Sequence, residues 1–68
     1  MIKIGTKTIK TNGREYHKAK ITIFENGRKL WTNVHDCVRV FKHDAILDAH
    51  RMATEINQNL AKALPIII

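Results

Sequence analysis

One cysteine, one proline, three glycines and four aromatic residues in 68 positions leave this chain few ways to staple or punctuate its fold. A lone Cys37 excludes an intramolecular disulfide, so packing, a partner or both must hold the structure, and a cytoplasmic protein is the expectation. No stretch approaches the ~18 apolar residues of a membrane span. Met1-Ile2-Lys3-Ile4 lacks the apolar run and cleavage site of a secretory signal, so neither membrane insertion nor export is expected. Carboxylates are scarce, six against twelve Lys and Arg. Asp44 and Asp48 open a helical pattern, where the positive end of the macrodipole explains them without a catalytic pair. There is no glycine-rich phosphate loop. His35 and Cys37 supply only half of a four-ligand zinc set, and His43 and His50 stand about two helical turns apart. The sequence therefore predicts no enzyme, no catalytic residue, no metal and no cofactor.

A chain of this size is one small domain (1–68) that buries only roughly 60% of its unfolded surface. Its net charge of +6 is unevenly spread. Residues 1–42 hold ten basic and three acidic side chains, and residues 43–68 hold two and three. The positive potential belongs to the first part.

Two copies of Asn-Gly-Arg, Asn12-Gly13-Arg14 and Asn26-Gly27-Arg28, organise that first part. Asn-Gly is a strong signal for a two-residue type I′ hairpin, which needs positive φ at both central positions. The expectation is an antiparallel meander of order 1-2-3: Ile2 to Thr11, about Glu15 to Glu25, and Lys29 to about Val34. Counting from the turns, Ile9 faces Tyr16, Gly5 faces Lys20, Ile4 faces Ile21, Phe24 faces Lys29, Ile23 faces Leu30 and Thr22 faces Trp31. Opposite residues share a face. One face then collects Ile2, Ile4, Thr6, Ala19, Ile21, Ile23, Leu30, Thr32 and Val34 as core. The other collects Lys3, Lys7, Lys18, Lys20, Lys29 and Asn33, with Ile9, Tyr16, Thr22, Phe24 and Trp31 among them. Residues Val34 to Phe41 are expected to form a bend or bulge in a long third strand, or a separate short strand.

From about His43 to Leu64 the period becomes 3.6. Ala45, Ile46, Ala49, Met52, Ala53, Ile56, Leu60, Ala63 and Leu64 form an apolar stripe, opposite Asp44, Asp48, Arg51, Glu55, Gln58 and Lys62. At about 33 Å such a helix would cover the sheet from end to end. Pro65 should stop it, leaving Ile66 to Ile68 (tail 65–68) to patch the core or add to a sheet edge. The fold class is thus α+β, a three-stranded meander (1–42) packed on one C-terminal helix (43–64).

This layout resembles the N-terminal arm-binding domains of tyrosine recombinases and the DNA-binding domains of plant ethylene-response factors. The likeness runs from about Tyr16 to Ala53. It is carried by Lys18-Ala19-Lys20-Ile21-Thr22-Ile23, the turn Asn26-Gly27-Arg28-Lys29 and Asp44-Ala45-Ile46, with Val34 to Phe41 as an added stretch. In those families the exposed sheet enters the major groove, so the resemblance implies DNA as partner. Lys20 to Gly27 also looks like the second hairpin of double-stranded-RNA-binding domains, but no helix precedes the sheet here, which puts DNA ahead of RNA.

Lysines on a solvent face are common and guard sheet edges. Aromatics among them are apolar area withheld from a small core. The expected function is nucleic-acid binding, with Lys3, Lys7, Lys18, Lys20 and Lys29 on phosphates, Tyr16 and Trp31 on sugar or base, and Arg14 and Arg28 clamping from the two turns. The alternative is a protein-interaction or homo-oligomerisation module that buries Trp31, Phe24, Ile9 and the Ile66 to Ile68 tail between chains.

Overall fold

In the computed structural model, which describes residues 1–61 and 63–68, the meander and the helix both form. Strands β1 (Ile2–Thr11), β2 (Arg14–Glu25) and β3 (Arg28–Arg39) are followed by α1 (Lys42–Leu60) and a two-residue strand β4 (Ile66–Ile67), in the order β3-β2-β1-β4. Both Asn-Gly turns have positive φ at each central residue (Asn12 53°, Gly13 75°; Asn26 51°, Gly27 77°), the type I′ geometry that suits the strand twist. The β1–β2 register is as predicted, with Ile2 opposite Ile23, Ile4 opposite Ile21, Gly5 opposite Lys20 and Ile9 opposite Tyr16.

The β2–β3 register follows the prediction for only two pairs, Glu25 with Arg28 and Phe24 with Lys29. One extra β3 residue is then inserted, and Ile23 faces Trp31, Thr22 faces Thr32, Ile21 faces Asn33 and Lys20 faces Val34. Side chains alternate along a strand, so a one-residue shift exchanges faces. Trp31 and Asn33, predicted for the basic face, join the helix side, while Thr32 and Val34 leave the core for the open side. A second irregularity lies between Lys20 and Lys18, where three β3 residues (His35, Asp36 and Cys37) stand against one of β2 (Ala19), two more than a regular ladder allows. The face assignment survives this even-numbered insertion, and Val34 to Arg39 remains part of one long strand.

Four alanines make the helix a close fit. Ala45, Ala49 and Ala53 on α1 and Ala19 on β2 are all fully buried, with Ile2, Ile4 and Ile21 as the large fully buried side chains. Ile23, Ile46, Met52, Ile56, Leu64 and Ile66 pack around this centre. The helix ends four residues earlier than predicted. Ala61 adopts the left-handed conformation (φ 50°) and its N–H caps the carbonyls of Asn57 and Gln58. The Asn57 side chain then holds the departing chain from both sides, donating to the Leu64 carbonyl (3.1 Å) and accepting from the Leu64 N–H (3.1 Å). Leu64 thus reaches the core from outside the helix, Ala63 is exposed, and Lys62 lies outside the described residues. Pro65 delivers its carbonyl to Ile2 N–H (2.7 Å), and Ile66 runs parallel beside Ile2, so the tail adds to the sheet edge. Ile68 remains exposed.

A 19-residue helix spans about 28 Å and a 12-residue strand about 40 Å. The helix therefore does not cover the sheet from end to end. The last β2–β3 pair is His17 with Arg39, and the segments Ile9–Thr11 and Arg14–Tyr16 continue past it as a two-stranded ribbon. At its root the buried His17 meets Thr8 Oγ1 through Nδ1 (3.1 Å).

Asp48, predicted for the solvent face of the helix, is buried instead. The prolonged β3 brings Arg39 over it, donating from Nε to Oδ2 (2.8 Å) and from Nη2 to Oδ1 (3.1 Å), with Arg51 Nη1 3.8 Å from Oδ1. The Arg39 hydrogen bonds hold the Asp48 carboxyl below its ordinary value of 3.8, against the opposing effect of burial. A carboxyl lowered on folding stabilises above its unfolded pKa, and the contribution disappears as pH falls through the folded value. In thermal melts, Asp48→Asn should lie below the parent at neutral pH and converge on it in acid, as pH falls past the ordinary carboxyl value of 3.8 and through the lowered folded one. Truncating the fully buried Ile21 to Ala should remove about 2–5 kcal/mol of stability, read from urea denaturation.

Candidate nucleic-acid interface

With the helix on one side of the sheet, the other side is open along its length. Strand alternation places Lys3, Gly5, Lys7 and Ile9 of β1 on it, beside Arg14, Tyr16, Lys18, Lys20, Thr22 and Phe24 of β2. From β3 it receives Lys29, Thr32, Val34 and Val38. Transverse rows follow from the pairing: Phe24 with Lys29, then Lys3 with Thr22 and Thr32, Gly5 with Lys20 and Val34, Lys7 with Lys18 and Val38, and Ile9 with Tyr16. Thr32 Oγ1 donates to Thr22 Oγ1 across the strands (3.4 Å).

All five predicted lysines, Lys3, Lys7, Lys18, Lys20 and Lys29, are therefore on one surface, together with Tyr16 and Arg14. Among the described residues, the paired positions of this face carry no carboxylate. Glu15 and Glu25 alternate to the helix side, and Asp36 falls within the irregular part of β3. The ion pairs seen among the described residues, Lys10–Glu15 at 3.7 Å and the Arg39 and Arg51 contacts of Asp48, also lie off it. Like charges with no internal partner leave a positive field facing solvent.

Two predicted contributors are placed elsewhere. Arg28 pairs with Glu25 on the helix side of its turn, at the end of the sheet opposite Arg14. Trp31 stands across from Ile23 and borders a depression with Ile56, Asn59 and Leu60. It continues into an apolar hollow of about 520 Å³ whose lining includes Met1, Leu30, Trp31, Leu60 and Leu64. Trp31 is thus set off from the lysine rows, with Phe24 at the edge where the two surfaces meet. His35 and Cys37 are tied together through the backbone, His35 Nδ1 accepting the Cys37 N–H (3.0 Å).

Sequence reasoning missed Thr32, Val34 and Val38 on the open face, and the available signal was local. Leu30-Trp31 puts two large apolar residues in succession where strict alternation demands one, a mark of a bulge, and Thr22 opposite Thr32 is a better cross-strand pair than Thr22 opposite Trp31. Also missed was a hollow of about 340 Å³ in the open face, floored at Gly5 and bordered by Lys3, Lys20, Thr22, Phe24 and Lys29. Among the described residues no helix is long and apolar enough to cross a membrane. No family model, curated protein or solved structure matches the chain.

Proposed function

We propose that this protein binds nucleic acid, DNA in preference to RNA, through the open face of its sheet. One observation carries the reading: five lysines share the face that the helix leaves uncovered, and its paired positions have no carboxylate to neutralise them. Lys3, Lys7, Lys18, Lys20 and Lys29 track phosphates. Tyr16 and Arg14, on the ribbon that outruns the helix, extend the contact beyond the body of the sheet. Phosphate contacts position a protein without reading sequence, so binding tolerates sequence. The resemblance of the sequence pattern to arm-binding and ethylene-response domains favours the same use of the sheet.

A second reading is favoured by a different surface. Met1, Leu30, Trp31 and Leu60 are each between 45% and 58% exposed around one hollow, more apolar area than a domain this small has reason to leave in water. A protein-interaction or self-association role would use that hollow, on the side of the sheet away from the lysines.

Salt titration of fluorescence anisotropy checks the first reading. Log affinity for duplex DNA should fall against log salt with a slope of about −0.9 per phosphate contact, and Lys18→Ala should weaken binding to all sequences while making the slope shallower by about one contact. Absence of measurable affinity at low salt for DNA or RNA would end the proposal. Trp31→Ala should leave nucleic-acid affinity within about threefold, since its side chain is across the sheet from the lysines. A shift of the light-scattering mass from oligomer to monomer in that variant would instead establish the second reading.

A further inference from the structure

Gly5 has no structural reason to be glycine. Its φ is not in the left-handed region, and a Cβ placed on it would meet no atom within 4 Å. Glycine inside a strand forfeits side-chain packing, and where no bulge or turn requires it, it marks a place where a ligand comes close to the backbone. The surroundings of Gly5 fit that description. The hollow above it holds about 340 Å³, the lower end of small-molecule sites and room for one nucleotide unit. Its border brings together three ammonium groups (Lys3, Lys20 and Lys29), an aromatic ring (Phe24) and a hydroxyl (Thr22). Because Thr22 Oγ1 accepts from Thr32, its own proton is left to donate.

Resting on the reading of the open face as a nucleic-acid surface, we infer that this hollow seats a single unpaired nucleotide of the bound strand. The phosphate lies among the ammonium groups of Lys3, Lys20 and Lys29, and the base stacks on Phe24. Stacking on an aromatic face accepts any base, because every base has a π-face. A base held inside a duplex cannot enter, since both its faces are already stacked. The face therefore treats paired and unpaired nucleic acid differently: the lysines of the Lys7–Lys18 row act on both, and the Gly5 hollow acts only on the unpaired strand.

Two variants test this against fluorescein-labelled single-stranded homothymidine and a blunt DNA duplex, by anisotropy at fixed low salt. Gly5→Val raises a β-branched side chain, of a kind that strands favour, into the floor of the hollow, so its thermal midpoint should match or exceed the parent's. Phe24→Leu removes the aromatic face and keeps an apolar side chain. Each should weaken single-strand binding by about tenfold and leave duplex affinity within about twofold. If both variants bind the single strand like the parent while Lys18→Ala still weakens it, the hollow seats no base and only the broader surface reading stands. Equal losses on strand and duplex would overturn the inference by making the hollow an ordinary stretch of the backbone track. A parent protein with no affinity for either probe would overturn both readings together.

Discussion

Close approach of one alanine-lined helix to one face of the sheet is the constraint on which the rest depends. Three large side chains, Ile2, Ile4 and Ile21, are fully buried, so this core has little reserve. Ala19, Ala45, Ala49 and Ala53 compensate by letting backbone meet backbone across the interface, where dispersion contacts are dense. Every other element serves that contact. Arg39 ties the end of β3 to the second turn of the helix through Asp48, Asn57 turns the chain at the other end of the helix, and Ile66 closes the edge beside Ile2.

Covering one face leaves the other open, and the bulge at Leu30 decides what the open face contains. With the extra residue, the largest aromatic of the chain swings to the helix side and threonine and valine take its place among the lysines. The bulge thereby takes the tryptophan off the lysine face, which keeps Ile9, Tyr16, Phe24, Val34 and Val38 among its lysines. A basic face interleaved with apolar and aromatic groups suits a nucleic-acid strand, whereas the tryptophan-lined hollow suits a protein surface. The ribbon from Ile9 to Tyr16 has a similar effect on reach, carrying Arg14 and Tyr16 past the end of the helix, where a long ligand can follow.

Local chemistry determined a large part of this protein from sequence alone. Asn-Gly dipeptides demand positive φ at two successive residues, so both turns, the β1–β2 register and the shared face of Lys3, Lys7, Lys18 and Lys20 follow from counting along the chain. The alanine and isoleucine stripe from Ala45 to Ile56 likewise specified a helix and its buried side. Tertiary structure decided what counting could not reach. A bulge is chosen by which pairings pack best across two strands and a helix, so the exchange of Trp31 and Asn33 for Thr32 and Val34 is a property of the assembled layers. Asp48 looked like a solvent-side helix residue until β3, prolonged to Arg39, covered it. The helix ends at Leu60 because Asn57 finds Leu64 seven residues on, a contact without periodic signature, and Gly5 became a floor only once Lys3, Lys20, Phe24 and Lys29 were raised around it. Turns and periodicities act between neighbours in the chain and are written there, whereas bulges, buried ion pairs and hollows depend on distances that exist only after the chain has folded.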